Sequence, residues 1–305
     1  MAMTGLKRVV VAGGTGLVGR PLVRALVDLG VEVTVLTRNP GRTELPAGVL
    51  ARSWDDLAAA LDGADTVINL AGEGIADKRW SAARKATLLA SRVETTKRLV
   101  EAMRACPRPP AALVSASAIG FYVPAGEEPV DEFSDSGMGF LAEVCRAWEV
   151  EAMAAATFGV RVAMIRIGVV LAREGGALPK MALPVRWFQG CKLGAGTQGL
   201  SWIHLDDLVA LFVEATRNPA WRGAFNGTAP EPLSSEAFTR ALAQRLHRPL
   251  LPVPGFVTAA ATKLVLGELA EALLLQGAFV KPTRVLAQGF SFRFPTADKA
   301  LEDLL

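Results

Sequence analysis

The sequence is poor in the residues that build metal sites and disulfide frameworks. Its three cysteines, Cys106, Cys145 and Cys191, are odd in number and show no Cys-x-x-Cys spacing. That excludes a disulfide framework and a zinc site, and it fits a reducing, cytoplasmic setting. Only two histidines occur, His204 and His247, so a histidine-based metal cluster is excluded and no metal is expected. Charge is nearly balanced, 33 Lys+Arg against 30 Asp+Glu for a net +3, with no basic run. A nucleic-acid partner would need basic residues gathered on one face, and none is expected. The most apolar stretch, Val257–Leu275, is interrupted by Lys263, Glu268 and Glu271, so no span and no membrane partner is expected. The opening Met-Ala-Met-Thr-Gly-Leu-Lys lacks an apolar core and a small-residue cleavage site, unlike a signal peptide.

What is present is an ordinary globular balance: 305 residues, 51% hydrophobic and 21% charged. Arg8–Ala12 is a short β-branched run that reads as a fully buried parallel strand. Pro21–Leu29 follows with helical spacing and is ended by Gly30. Strands are then expected at Val31–Leu36, Thr66–Leu70, Ala111–Ser115 and Arg161–Ile167. Helices are expected at Asp55–Leu61, Ser91–Met103, Phe140–Ala156 and, after Asp206 as N-cap, Asp207–Ala215. This alternation predicts an α/β fold, a doubly wound parallel sheet with helices on both faces. Residues 173–201 are rich in glycine and show little regular period. Residues 230–290 are helical patterns broken by proline, and the chain is expected to thread back to the sheet edge near Gly223–Thr228.

The first strand runs into Gly13-Gly14-Thr15-Gly16-Leu17-Val18-Gly19, which opens the first helix. In this place a glycine motif is a strong dinucleotide signal. The first glycine permits the tight turn, the next lets backbone approach a pyrophosphate, and the last lets helix pack on strand. Gly13, Thr15, Gly16, Leu17 and Gly19 are therefore candidate cofactor contacts, with the helix N-terminus supplying free N–H groups. The second strand ends in Leu36-Thr37-Arg38-Asn39, with no carboxylate at its end. An arginine there suits the 2′-phosphate of NADP, and Thr37 adds a hydroxyl, so NADP(H) is expected in preference to NAD(H). The fold is then of Rossmann type. Residues 1–171 form the NADP-binding domain, with 202–228 returning to it. Residues 172–201 and 229–305 form an interleaved, smaller, mostly helical C-terminal lobe on the substrate side.

Other strand ends also carry polar residues: Asn69-Leu70-Ala71-Gly72-Glu73, Ser115-Ala116-Ser117 followed by Tyr122, and Arg166-Ile167-Gly168-Val169-Val170. Ligands of open α/β sheets bind at such ends. The glycine spacing resembles that of the extended short-chain dehydrogenase/reductase superfamily. LTRNP (36–40), NLAGEGI (69–75), SRVETTKRLVEAM (91–103), FLAEVCRAWE (140–149) and WIHLDD (202–207) together resemble its atypical YfcH-type epimerase family over nearly the whole chain. That resemblance implies NADP contacts at Thr37, Arg38, Leu70, Ala71, Glu73, Arg92 and Val170. Gly72, Ser115 and Arg166 complete the expected cofactor set. It also implies an NADP-dependent oxidoreductase or epimerase acting on an unidentified small molecule, by analogy nucleotide-sugar-like, and it leaves room for a homo-oligomer.

The superfamily's proton-exchanging pair is Tyr-x-x-x-Lys on one helix face. The corresponding helix here offers Phe140 and Val144, so the pair is absent. One reading makes Tyr122 the acid/base, with Ser115 or Ser117 orienting a carbonyl and Lys180 or Glu143 supplying charge. The other is an NADP(H)-binding sensor or regulator without turnover. Lys180, Arg186 and Lys192 are candidate cations for a phosphorylated or acidic substrate, the alternative being ordinary solubility. His204 is expected as a hydrogen-bonded junction residue, Cys145 as a small core residue, and Trp148 and Glu149 as partners at a helix surface. Ser91-x-x-Glu94 matches a capping box, although the helical pattern already begins near Ser81.

Overall fold

The computed structural model describes residues 6–305, the side chain of Leu273 excepted. Seven strands form the central sheet: β1 (Arg8–Ala12), β2 (Glu32–Leu36), β3 (Leu50–Arg52), β4 (Thr66–Asn69), β5 (Ala112–Ala118), β6 (Arg161–Ile167) and β7 (Gly223–Gly227). Their order is β7-β6-β5-β4-β1-β2-β3, and every pairing is parallel. The chain winds outward from β1 in one direction and from β4 in the other. The order therefore switches between β1 and β4, and the crevice past their carboxyl ends is where such sheets hold ligands.

The β-branched runs form strands because both faces of the sheet are covered. Val9 and Val11 pack into one layer with Leu22, Val23 and Leu26 of the helix Gly19–Asp28 and with Leu208 and Phe212 of the helix Leu205–Arg217. Val10 and Ala12 point the other way, toward Leu99, Val100 and Met103 of the long helix Ala82–Ala105 and Ala152 of the helix Phe140–Met153. Burying each Val or Leu side chain contributes about 1.5–3 kcal/mol, more than the net worth of a hydrogen bond, so these layers fix strand facing. The first helix ends in a Schellman turn. Gly30 takes φ +78°, its N–H donates to Val27 O at 2.8 Å, and Val31 N–H donates to Leu26 O at 3.1 Å.

A third core joins the rest of the chain. Leu171, Leu178, Trp202, Phe238, Leu242, Phe294 and Leu301 pack together. Three short ladders frame it: Val169–Leu171 with Trp202–His204, Gly199–Leu200 with Leu233–Ser234, and Pro129–Val130 with Phe279–Val280.

Four sequence expectations are corrected. Residues 173–201 contain a helix, Leu178–Arg186, despite Pro184 within it. Its Leu178, Ala182 and Val185 recur at helical spacing and are buried, and that burial outweighs the hydrogen bond Pro184 cannot make. The long helix begins at Ala82, where Ser81 accepts from Arg84 N–H at 3.1 Å, so Ser91 and Glu94 lie in its interior and form no capping box. Asp206 is not the N-cap of the Leu205–Arg217 helix. His204 is, its Nδ1 accepting from Asp206 N–H at 3.1 Å. Trp148 and Glu149 are not a surface pair but are both buried.

Candidate functional site

The glycine loop sits at the carboxyl end of β1, beside the switch point. Gly13 adopts φ +78°, and a Cβ on it would lie 2.7 Å from the carbonyl carbon and oxygen of Leu70. A Cβ on Gly19 would lie 2.2 Å from the Gly13 carbonyl oxygen. These two glycines are required by the protein's own packing. Gly16 is different: its nearest neighbour would be the Gly13 oxygen at 3.4 Å, ordinary contact, and the residue is exposed. The helix that starts here has no side-chain cap and no acidic residue in its first turn. Its first turn thus has no side-chain acceptor and no competing acid, and a positive dipole end of that kind suits an anion. Leu17 reaches across to the Gly175–Gly176 turn, where a Gly176 Cβ would lie 2.7 Å from Val170 O and 3.3 Å from Leu17. The expected contacts Leu17 and Val170 therefore flank the same loop.

At the end of β2, the Arg38 side chain is 83% exposed. Its only carboxylate partner among the described residues is Glu73, at 3.6 Å, which is longer than a hydrogen bond. No carboxylate follows β2 in sequence, yet the turn after β4 brings one alongside. Glu73 also lies 3.4 Å from Arg84 Nη1. Its backbone is held by two side chains of the long helix: Arg92 Nη2 donates to Glu73 O at 3.0 Å, and Glu73 N–H donates to Ser91 Oγ at 3.2 Å. The Arg92 guanidinium lies over Trp148 at 5.4 Å and passes so close to Gly72 that a Cβ there would sit 3.2 Å from it. Burial lowers the Arg92 pKa from its ordinary value. Asn69, at the end of β4, donates to Thr96 at 2.8 Å and accepts from Ala71 N–H at 3.2 Å, which fixes the turn. Thr37 lies 3.4 Å from the Thr43 hydroxyl.

The remaining expected residues are bonded to other groups of the protein. Ser115 is fully buried, and its hydroxyl donates to the Ala116 carbonyl at 3.1 Å. Ser117 donates to Glu149 Oε1 at 2.6 Å. Glu149 in turn receives Arg166 Nε and Nη2, both at 2.8 Å. Arg166 Nη1 donates to the Tyr122 hydroxyl at 2.6 Å, and that hydroxyl donates to Asn226 Oδ1 at 2.9 Å. Asn226 Nδ2 ends the chain on Lys281 O at 2.9 Å. Burial pushes the Tyr122 phenol up to about 12, even with the Arg166 cation beside it. The Glu149 carboxylate and the Tyr122 hydroxyl hold Arg166 above its ordinary value. Tyr122 thus has both hydroxyl partners inside the protein and a pKa far from neutrality. Arg166 is bonded to both Glu149 and Tyr122.

At the start of the helix Phe140–Met153, Trp80 meets Phe140 edge-on with centroids 5.2 Å apart, and the Lys85 ammonium lies 5.2 Å above the Phe140 ring. Lys85 pairs with Glu268. Lys180 and Glu143 are exposed. Sequence reasoning missed Lys85, Trp80 and Glu149 as members of these clusters. Their partners lie 17 to 183 positions away along the chain, and no local pattern encodes such pairs.

A family model described as NAD dependent epimerase/dehydratase family matches residues 9–226, and one described as a domain of unknown function matches residues 257–304. The epimerase family protein SDR39U1 homolog, chloroplastic, of Arabidopsis thaliana is 40% identical over 304 residues, covering 97% of this chain and 86% of that protein. Epimerase family protein SDR39U1 of Homo sapiens is 35% identical over 303 residues, covering 98% and 99%. The crystal structure of the human protein (isoform 2) with NADPH superposes with a TM-score of 0.87 at 35% identity, over 97% of this chain and 98% of that one. Thermus thermophilus UDP-glucose 4-epimerase in complex with NAD gives 0.74 at 19% identity over 96% of both chains, a likeness of fold.

Proposed function

The chain belongs to the NAD dependent epimerase/dehydratase family, and on that premise we propose that it binds NADP(H) in preference to NAD(H). It then acts as an oxidoreductase or epimerase on a small molecule whose reacting carbon carries oxygen. The observation that carries this reading is the uncapped helix start beside the exposed Gly16, with the exposed Arg38 guanidinium, 3.6 Å from Glu73, at the next strand end. Gly16 is dispensable for packing, so the space above it is left for a ligand. The N–H groups of the helix start hold the pyrophosphate. Arg38, with Thr37, takes the 2′-phosphate, for which a guanidinium fork is suited. Arg92 and Ser91 hold the Glu73 turn, and Leu17 and Val170 form the wall beyond it. Bound there, the nicotinamide supplies hydride transfer. The NADPH in the human SDR39U1 structure supports the same choice.

Ser117 and Tyr122 enter this reading as positioning residues. Their hydroxyls tie β5 to Glu149, Arg166 and Asn226. A second reading, an NADP(H) sensor without turnover, is favoured by one observation: Phe140 and Val144, at the spacing expected of the proton-exchanging pair, carry no proton-exchanging group.

Titration of the purified protein with NADPH and NADH tests the first claim. NADPH should bind at least about tenfold tighter, a difference of about 1.4 kcal/mol. Arg38→Ala should erase that difference and leave NADH affinity unchanged. Equal affinities in the native protein would overturn the preference. A carbonyl panel then separates the two readings. NADPH oxidation above a Gly16→Asp background establishes net reduction, interconversion of epimers with no net change in cofactor establishes epimerisation, and the absence of both with intact binding leaves the sensor.

A further inference from the structure

Two stretches of this nearly neutral chain, residues 175–205 and 237–267, contain no aspartate or glutamate. They hold seven cations: Lys180, Arg186, Lys192, Arg240, Arg245, Arg248 and Lys263. Among the described residues, Lys180, Arg186, Lys192 and Arg248 have no carboxylate within salt-bridge distance. Arg240 and Lys263 pair with Glu236 and Glu271, which lie outside the two stretches.

The same stretches carry the most exposed large apolar side chains of their part of the molecule. Trp187 is 71% exposed, Phe188 55%, Phe256 78% and Leu264 81%. The helix Gly255–Leu266 is strongly apolar, yet it buries only Thr258. A helix of that composition normally lies in a core. This one leaves its apolar side chains in water.

The two stretches form one surface. Leu251 N–H donates to Gly190 O at 2.8 Å, and Gly194 N–H donates to the Thr258 hydroxyl at 3.0 Å. Between these ties, Arg248 Nε reaches Arg186 O at 3.5 Å, and its guanidinium lies 4.5 Å from the Phe188 ring centre. Exposed aromatic and aliphatic side chains are thus interleaved with the cations Arg186 and Arg248 along one strip, with Glu236 and Glu271 beside Arg240 and Lys263 at its margin.

We propose that this strip is a docking surface for an anionic lipid bilayer. Projecting Trp, Phe and Leu side chains enter the headgroup boundary, and flanking Lys and Arg meet the negative surface. A second copy of this chain fits less well, because an isologous contact would lay the cationic strip against itself. The contact is peripheral: among the described residues no helix is long and apolar enough to cross a membrane. It runs against the sequence expectation of no membrane partner, and the vesicle test decides between them.

The test is co-sedimentation of the full chain with phosphatidylcholine vesicles and with vesicles containing phosphatidylglycerol. Binding is expected to the anionic vesicles only, and to fall with added salt. Arg186→Gln with Arg248→Gln should weaken it about tenfold or more. Trp187→Ser with Phe256→Ser should abolish it. NADPH affinity and melting temperature should be unchanged in both pairs, since neither pair touches the glycine loop or the cores. Absence of anionic-vesicle binding, equal binding to neutral vesicles, or binding that survives both pairs would each overturn the proposal. So would a dimer in sedimentation equilibrium that the Trp187→Ser, Phe256→Ser pair dissolves, because that result assigns the strip to a second copy.

Discussion

Tyr122 is the chain's single phenol, and its surroundings decide what it can do. Arg166 donates to its hydroxyl and Asn226 accepts from it, inside a network that also holds Glu149 and Ser117. Tyr122→Phe leaves Arg166 Nη1 and Asn226 Oδ1 buried without that partner, a cost of about 1–3 kcal/mol. Glu149→Ala leaves a buried guanidinium uncompensated and should cost about 3–5 kcal/mol. Denaturant melts should therefore rank the two in that order, with NADPH affinity unchanged in Tyr122→Phe. A tenfold loss of affinity with an unmoved melt would instead place the phenol in the cofactor site. The titration adds a sign. The phenol is raised from 10.0 to about 12, so its stabilisation is whole below pH 10.0 and is lost as pH rises through about 12. Tyr122→Phe should lack that alkaline loss. In the sequence, Tyr122, Ser117 and Arg166 were visible as polar residues near strand ends. Their mutual bonding was not, because Glu149 looks like any acid of a helix face until the fold buries it.

The glycine loop separates glycines that shape the element from one that serves a ligand. Gly13 takes a left-handed backbone angle and abuts Leu70, while Gly19 abuts Gly13. Gly19→Ala would force backbone apart where a Cβ would sit 2.2 Å from an oxygen, and should cost at least about 1–3 kcal/mol. Gly16→Ala meets nothing closer than 3.4 Å, so its melt should be unchanged within about 0.5 kcal/mol while NADPH binding weakens. Thermal melts and cofactor titration of the two variants check this contrast. A Gly16→Ala protein that binds NADPH as the native protein does would remove the ligand role from this glycine. Strand–loop–helix order made the element legible in advance, since period and glycine position are local properties. Helix ends were less so. His204 caps where Asp206 was expected because its ring turns back on the Asp206 N–H, while Asp206 faces Arg293 at 3.5 Å. The helix Leu178–Arg186 was hidden by Pro184, whose penalty is local while the burial that offsets it is tertiary.

The C-terminal segment returns to the sheet at a junction built on His204 and Asp207. Asp207 accepts from Arg293 N–H at 2.8 Å and Phe294 N–H at 2.9 Å, across 86 and 87 positions of chain. The His204 ring stacks on Phe294 at 3.8 Å, and its Nε2 lies 3.4 Å from Asp303. Burial lowers the His204 pKa below its ordinary 6.5, even with Asp206, Asp303 and Asp207 raising it. The unfolded chain therefore binds this proton first as pH falls. The junction's contribution is whole above pH 6.5 and is lost as pH drops through the lower folded value. Asp207 acts in the opposite sense: burial raises its pKa above 3.8, so the folded chain takes up that proton first. The two are separated by the difference between native and His204→Gln melts across pH. That difference should be constant above about pH 6.5 and shrink below it. A difference that stays constant into acid would show that His204 keeps its proton equilibrium unchanged on folding.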